Sequence, residues 1–179
     1  HPMDLTRHYY ETTGFPALPA PWALGPILWR DENIGQDEVV GDIDAMRDLD
    51  LAASALWIDR PYASGVNSFD FHPDDYTDPQ AMIDHAHAMG FRMGLWHTPY
   101  ADEDSAPLIH AEAEAGGYYP PLEPPLVLAV VNWGPLVDFT NPEASAWWTD
   151  HVRTYTDMGI EGFKLDFAED IFPGVLHMR

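Results

Sequence analysis

One short stretch carries two residues that could do nucleophilic or acid–base chemistry together. It reads Gly162-Phe163-Lys164-Leu165-Asp166-Phe167-Ala168. Phe163, Leu165 and Phe167 alternate with Lys164 and Asp166, which is the period of a strand. Both charged side chains then fall on the same side, two residues apart. A cation beside a carboxylate favours its ionised form, and an ionised, oriented carboxylate is what a nucleophile needs. With a protonated carboxyl about 5–5.5 Å away, such a group suits retaining cleavage of a glycosidic bond. The competing reading is a plain ion pair at a strand end, because structural pairs perturb carboxylates in the same way. Glu169 and Asp170 are the nearest candidates for the second carboxyl. Both follow Asp166 too closely to be convincing, so no acid is identified.

The elements that must position this pair repeat as a unit: Asp or Asn, Pro, amphipathic helix, Gly, apolar strand, polar residue at the strand's end. Strands are expected around 22–29, 53–58, 91–96 and 162–167. Helices are expected over 37–49 with Asp37 as cap, from Asp78-Pro79 to Gly90, over 102–116 with an acidic first turn, and from Asn141-Pro142 to Gly159. Residues 1–21 read as an irregular lead-in, broken by Gly14, Pro16, Pro19 and Pro21. Residues 60–77 are expected to form a long loop, and 117–137 an irregular Pro- and Tyr-rich excursion that could hold a small hairpin. Strands alternating with helices imply a parallel β/α architecture. Asp59, His97 and Asp166 fall at the C-terminal ends of three strands, which in a parallel barrel converge on one mouth. Trp96, also at a strand end, could offer a flat face to a sugar ring or fill the core. His85 and His87 sit two apart on different faces of one helix and cannot share a metal.

Composition narrows the partners. Eight Lys and Arg against thirty Asp and Glu leave a formal net charge of −22, which disfavours nucleic acid and anionic membranes. At 46% apolar, with 7 Trp, 8 Tyr and 8 Phe, the chain has the material for a packed core. There is no Cys, so thiol nucleophiles and disulfides are excluded. Asp31, Asn33 and Gly35 lack the spacing of a calcium loop, and neither a metal nor a cofactor is expected. The 179 residues fall short of the ~250 of a complete (β/α)8 barrel, and the first residue is His1, so the start looks processed or truncated.

Taken in order, the motifs resemble family 31 of the glycoside hydrolases, the α-glucosidase and α-xylosidase family. They are Leu18-Pro19-Ala20-Pro21-Trp22-Ala23-Leu24-Gly25, Trp57-Ile58-Asp59, Phe71-His72-Pro73-Asp74, Gly90-Phe91-Arg92, Leu95-Trp96-His97-Thr98-Pro99-Tyr100, Asp138-Phe139-Thr140-Asn141-Pro142-Glu143-Ala144 and Gly162 to Glu169. The resemblance implies a parallel (β/α)8 barrel that cleaves α-linked sugars with retention. In it Asp166 matches the nucleophile, Asp59 and Trp96 match residues of the −1 subsite, and Lys164 faces the sugar. Trp133 is a looser match, in the excursion that often contributes to the pocket. Ala168 departs from the pattern, which often has Gly there. The family's acid/base Asp lies beyond Arg179, so the chain is expected to cover about the first four β/α units. Residues 1–21 would be the lead-in, residues 22–179 the first half of the catalytic barrel, and the missing C-terminal half a partner. Two alternatives are an α-galactosidase of the related clan, which shares the Lys-x-Asp strand, and a non-catalytic carbohydrate-binding half-barrel.

Overall fold

A computed structural model describes residues 1–121 and 133–168. Four short strands form one parallel sheet in the order β1-β2-β3-β4: β1 Ile27–Arg30, β2 Ala55–Ile58, β3 Arg92–His97 and β4 Gly162–Leu165. Each consecutive pair is joined through helix: α2 (Gln36–Asp48) links β1 to β2, α3 (Pro79–Ala88) links β2 to β3, and α4 (Pro107–Gly116) and α5 (Pro142–Met158) lie between β3 and β4. All four expected strands are present, and the first three are followed by their helices among the described residues.

The helix boundaries have local causes. Asp78 Oδ1 accepts the Ala81 amide at 3.0 Å and Pro79 occupies the first turn of α3, where a missing N–H costs nothing. Asn141 caps α5 in the same way through the Glu143 amide. Gly159 ends α5 at φ 107; a Cβ there would lie 2.8 Å from His87 Cε1. At the C-terminus of α2, Arg47 donates to the carbonyls of Met89 (2.7 Å), Leu51 (3.2 Å) and Ala53 (3.0 Å) and stacks over Phe91 at 4.0 Å. One guanidinium thereby ties α2, the approach to β2 and the end of α3 together.

Four expected boundaries are corrected. Residues Pro2–Thr13 form a helix, α1, with His1 as N-cap and Pro2 in the first turn. The breakers invoked for residues 1–21 start only at Gly14, so nothing interrupts the segment before it. None of its residues is buried. Residues Pro21–Leu24 form a 3-10 turn, and β1 starts only at Ile27, after Pro26. The cap of α2 is Gly35, with Asp37 inside the first turn, and α4 begins at Pro107. The acidic residues ahead of it form a turn in which Asp102 Oδ2 accepts from the Ser105 amide at 3.0 Å. Of the 117–137 excursion, residues 122–132 lie outside the described residues; Leu136 bridges Tyr100 in antiparallel fashion.

The core fills the space between one face of the sheet and the helices. Leu56, Ile58, Met93 and Leu95 pack with Val39, Ile43, Met82, Ile83 and Ala86, all 2% exposed or less. Strand residues facing a helical layer read as near-continuous apolar runs because both faces are covered over most of their length. Here the opposite face is less covered. On that face Trp29 of β1 is 44% exposed. The two edge strands have no further neighbour among the described residues.

Candidate active site

The strand register builds the site. Trp29, Trp57, Gly94 and Gly162 are paired in one row across the four strands. One step further along, Trp96 pairs with Lys164, and Asp59 follows directly after β2. Gly94 permits this packing: a Cβ there would lie 3.2 Å from both the Trp57 Cβ and the Gly162 carbonyl oxygen. The backbone of Asp166 is held to the end of β3 by its amide, which donates to the His97 carbonyl at 2.9 Å.

Two carboxylates and one ammonium group meet above these rows. Lys164 Nζ lies 2.9 Å from Asp59 Oδ2 and 3.2 Å from Asp166 Oδ2. Asp59 is sequestered, with its side chain 5% exposed, whereas that of Asp166 is 35% exposed. Asp59 Oδ2 also accepts the indole N–H of Trp29 at 2.9 Å and of Trp57 at 3.3 Å, and Oδ1 accepts the Arg60 amide at 3.0 Å. Burial pushes the Asp59 carboxyl up, but Lys164, Trp29, the Arg60 amide and Trp57 outweigh it, and the net shift is downward. Asp166 Oδ2 accepts the indole N–H of Trp96 at 2.9 Å, and Oδ1 accepts the Phe167 amide at 3.0 Å. The Trp96 hydrogen bond is the main reason that the Asp166 carboxyl is held below its usual range; burial opposes it, and Lys164 supports it. Burial pulls the Lys164 ammonium down, but both carboxylates together raise it. All three groups are charged at neutral pH.

The arrangement assigns unequal capacities to the two carboxylates. Asp59 is saturated by four donors and buried, so it can neither attack nor release a proton. Asp166 is ionised, oriented and partly exposed, which suits a nucleophile. The backbone after it is left-handed at two successive non-glycine residues, Phe167 (φ 63) and Ala168 (φ 82). Ala168 therefore occupies a conformation that favours glycine, at the position where the family pattern often has Gly.

The remaining candidates divide. Trp96, 3% exposed, presents its N–H edge to Asp166. Trp133 meets it edge-on with ring centres 5.6 Å apart and lies 5.1 Å from the Phe167 ring. Glu169 and Asp170 lie outside the described residues. His97 is a correction to the expected convergence of strand-end polar residues. Strand alternation turns it to the opposite face from Trp96, where its Nδ1 meets Asn67 Oδ1 at 2.9 Å and its Nε2 meets the Tyr62 hydroxyl at 3.3 Å. Burial pulls its pKa down to about 4. His85 and His87 pair separately, with Asp44 (2.7 Å) and Glu161 (3.3 Å). Trp29, Trp57 and Arg60 are site residues that the sequence reading missed. Trp57 was findable, since it lies two residues before Asp59 on the same strand face; nothing in the local pattern points to Trp29.

Residues 16–177 match the family model described as the glycosyl hydrolases family 31 TIM-barrel domain. The chain belongs to family 31 of the glycoside hydrolases. It is 28% identical over 183 residues to an α-xylosidase of Emericella nidulans, covering 96% of this chain and 23% of that protein. It is 26% identical to an α-glucosidase of Saccharolobus solfataricus, covering 93% of this chain and 24% of that protein. Among solved structures, a family 31 α-xylosidase from a soil metagenome, in complex with xylose, superposes with a TM-score of 0.75 at 25% identity. That match covers 88% of this chain and 23% of the other. The chain thus spans about a quarter of the length of these relatives. Its four parallel strands and their helices are a part of a TIM-type barrel, the architecture expected from the motifs.

Proposed function

We propose that the chain is the first half of the catalytic barrel of a retaining α-glycoside hydrolase, with Asp166 as the nucleophile. The observation that carries this reading is the state of Asp166: a partly exposed carboxylate at the C-terminal end of a barrel strand, held ionised by the Trp96 N–H and by Lys164. Such ends are where barrel enzymes place their chemistry. Membership of the glycoside hydrolase family, and relatives named as α-xylosidases and α-glucosidases, support an α-linked glucoside or xyloside as substrate. Residues 22–179 form the half-barrel in this reading, with residues 1–21 as its lead-in.

In this reading the residues take the following roles. Asp166 attacks the anomeric carbon, the glycosidic C–O bond breaks, and a glycosyl ester forms on the carboxylate; water later hydrolyses the ester and restores Asp166. Asp59 and Lys164 face the sugar as a fixed charge pair, with Trp96 and Trp133 forming the aromatic wall beside it. The proton for the leaving group comes from an acid outside the described residues, because Asp59 is saturated and ionised. A second half of the barrel supplies that acid and covers the edges of β1 and β4. This half is either a continuation of the chain or a separate partner. Hydrolysis of an aryl α-glycoside by residues 1–179 alone at an ordinary enzymatic rate would sink the half-barrel assignment.

The direct test is intact-mass analysis of the full-length protein after incubation with 5-fluoro-α-glycosyl fluorides of the gluco, xylo and galacto series. A covalent adduct on the peptide containing Asp166, absent from Asp166→Ala, is the expected result. Preferential labelling by the galacto reagent would move the assignment to an α-galactosidase. Sugar binding without any adduct would make the protein a carbohydrate-binding module.

A further inference from the structure

Three donors converge on one oxygen of Asp59. Lys164 Nζ and the Trp29 indole nitrogen each lie 2.9 Å from Oδ2, and the Trp57 indole nitrogen lies 3.3 Å from it. The Arg60 amide takes the other oxygen, Oδ1. A carboxylate offers about four lone-pair sites over its two oxygens, so three donors on Oδ2 compete for about two sites. Trp57 holds the longest of the three bonds.

Lys164 is drawn from a second side as well. The same ammonium lies 3.2 Å from Asp166 Oδ2. Its place between the two carboxylates is a balance, and each indole N–H on Asp59 Oδ2 reduces what that oxygen has left for the lysine. The ammonium also lies over the Trp29 and Trp57 rings at 5.8 and 6.0 Å, at the outer limit of cation–π range. Trp29 is the stronger competitor for Oδ2. It reaches Asp59 from the neighbouring strand, and at 44% exposed it is not held there by burial alone.

Trp29 is not among the donors to Asp166, which are the Trp96 indole, the Phe167 amide and Lys164. The other charged groups nearby have separate tasks among the described residues. Arg60 lies over the Trp133 and Trp96 rings, and Glu32 shares with them the rim of a cavity. Arg30, at the end of β1, pairs with Asp42 and Glu38. His97 faces the other side of the sheet, against Asn67 and Tyr62. Lys164 is thus the link through which a change at Asp59 reaches Asp166.

We infer that Trp29 is a positioning residue for the nucleophile: by competing for Asp59 Oδ2 it keeps Asp59 from drawing Lys164 away from Asp166. This deepens the glycosidase reading and rests on it for the role of Asp166. Without the Trp29 N–H, Lys164 moves toward Asp59, and Asp166 loses part of the cation that helps to keep it ionised.

The test follows, by intact mass of the full-length protein, the pH dependence of labelling by the 5-fluoro-α-glycosyl fluoride that reacts best with the wild type. Fluoride leaves with little need of a protonated acid, so the acid limb reports the nucleophile. Trp29→Phe keeps a ring and removes the N–H. Its acid limb should move upward by about half a pH unit, a roughly threefold slower reaction on that limb, as expected for part of a half-exposed ion pair. Trp57→Phe removes the weaker competitor and should give a smaller shift in the same direction, which keeps the inference open to refutation if Trp29→Phe does not fold. In a Lys164→Met background, adding Trp29→Phe should leave the limb where it is, because the effect runs through the lysine. A crystal structure of Trp29→Phe should show Lys164 Nζ on Asp59 and farther from Asp166. An unmoved limb, a shift that persists without Lys164, or a lysine still shared between the carboxylates would overturn the inference. Absence of any label on the wild type would instead sink the hydrolase reading, and the crystal structure would then decide whether Trp29 partitions the lysine.

Discussion

Trp96 and His97 are adjacent at the end of β3, and they serve opposite regions of the molecule. Trp96 turns to the mouth and joins Asp59, Lys164 and Asp166, a cluster whose charges are held in place but partly open. His97 turns to the helix side and joins Asn67, Tyr62, Phe69 and Tyr155, a cluster that is closed and neutral. There Asn67 Nδ2 donates to the carbonyls of Thr98 (2.9 Å) and Tyr100 (2.7 Å), and Phe69 stacks between His97 and His151 at 5.6 and 4.8 Å. The Tyr155 hydroxyl donates to the Asp70 carbonyl at 2.8 Å. Both regions are rich in polar and aromatic groups at a strand end. One is built to keep a partly exposed carboxylate ionised; the other locks the 60–77 loop onto the barrel. A polar residue at a strand end is therefore not by itself a sign of chemistry: the face it occupies decides.

The comparison can be broken most severely at Asp166. Asp166→Asn in the full-length protein is expected to lower kcat by on the order of 10⁴-fold or more, as loss of a nucleophile does elsewhere, with little change in the denaturation midpoint. Retained turnover would place the nucleophile elsewhere. The mirror-image substitution is Asn67→Ala. It leaves several buried groups unpaired, each worth about 1–3 kcal/mol, so urea unfolding should show a loss of about 3 kcal/mol. A variant as stable as the wild type would show that the closed cluster is not what holds the loop.

Finer changes sharpen the same contrast. In Trp96→Phe the hydrogen bond that most strongly holds the Asp166 carboxyl low is gone, so that carboxyl titrates at higher pH. The acid limb of the kcat/KM profile should move upward, and activity on that limb should fall by roughly tenfold or more, the worth of a hydrogen bond to a charged group. An unmoved limb would transfer the role to Lys164. His97 acts on stability. Its folded pKa of about 4 lies below the usual value near 6.5, so the unfolded chain binds the extra proton first. Stability should therefore fall as pH drops from about 6.5 to 4, by about 1–3 kcal/mol from this group. The paired carboxylates lose stability on acidification too, so the measure is the difference: unfolding free energy between pH 4.5 and 7.5 should vary less in His97→Leu than in the wild type. The smallest effect is at Ala168, where Ala168→Gly relieves a left-handed alanine and should raise stability by up to about 1 kcal/mol, read from the thermal midpoint.

Much of this molecule was legible from residue order. The Asp-Pro and Asn-Pro helix starts at 78–79 and 141–142, the stop at Gly159 and the four apolar strands follow from local rules, because caps, proline and strand alternation act within a few residues. The motif series also led to the family that the match over residues 16–177 established. The misreadings were local too. Residues 2–13 form a helix because the breakers lie beyond them. His97 was grouped with Asp59 and Asp166 because strand-end position was weighed without the one-residue difference in face.

The sequence by itself determined the parallel β/α architecture, the family, and the pairing of Lys164 with Asp166 on one strand. Tertiary structure alone decided the rest of the site: that Lys164 sits closer to Asp59 than to Asp166, that Trp96 is the main anchor of the Asp166 charge, and that Trp29 and Trp57 saturate Asp59. Apart from that of Trp57 with Asp59, two positions away, these contacts join residues 30 to 105 positions apart. They arise where register aligns four strands in rows, and no local pattern encodes which side chains that alignment will bring together.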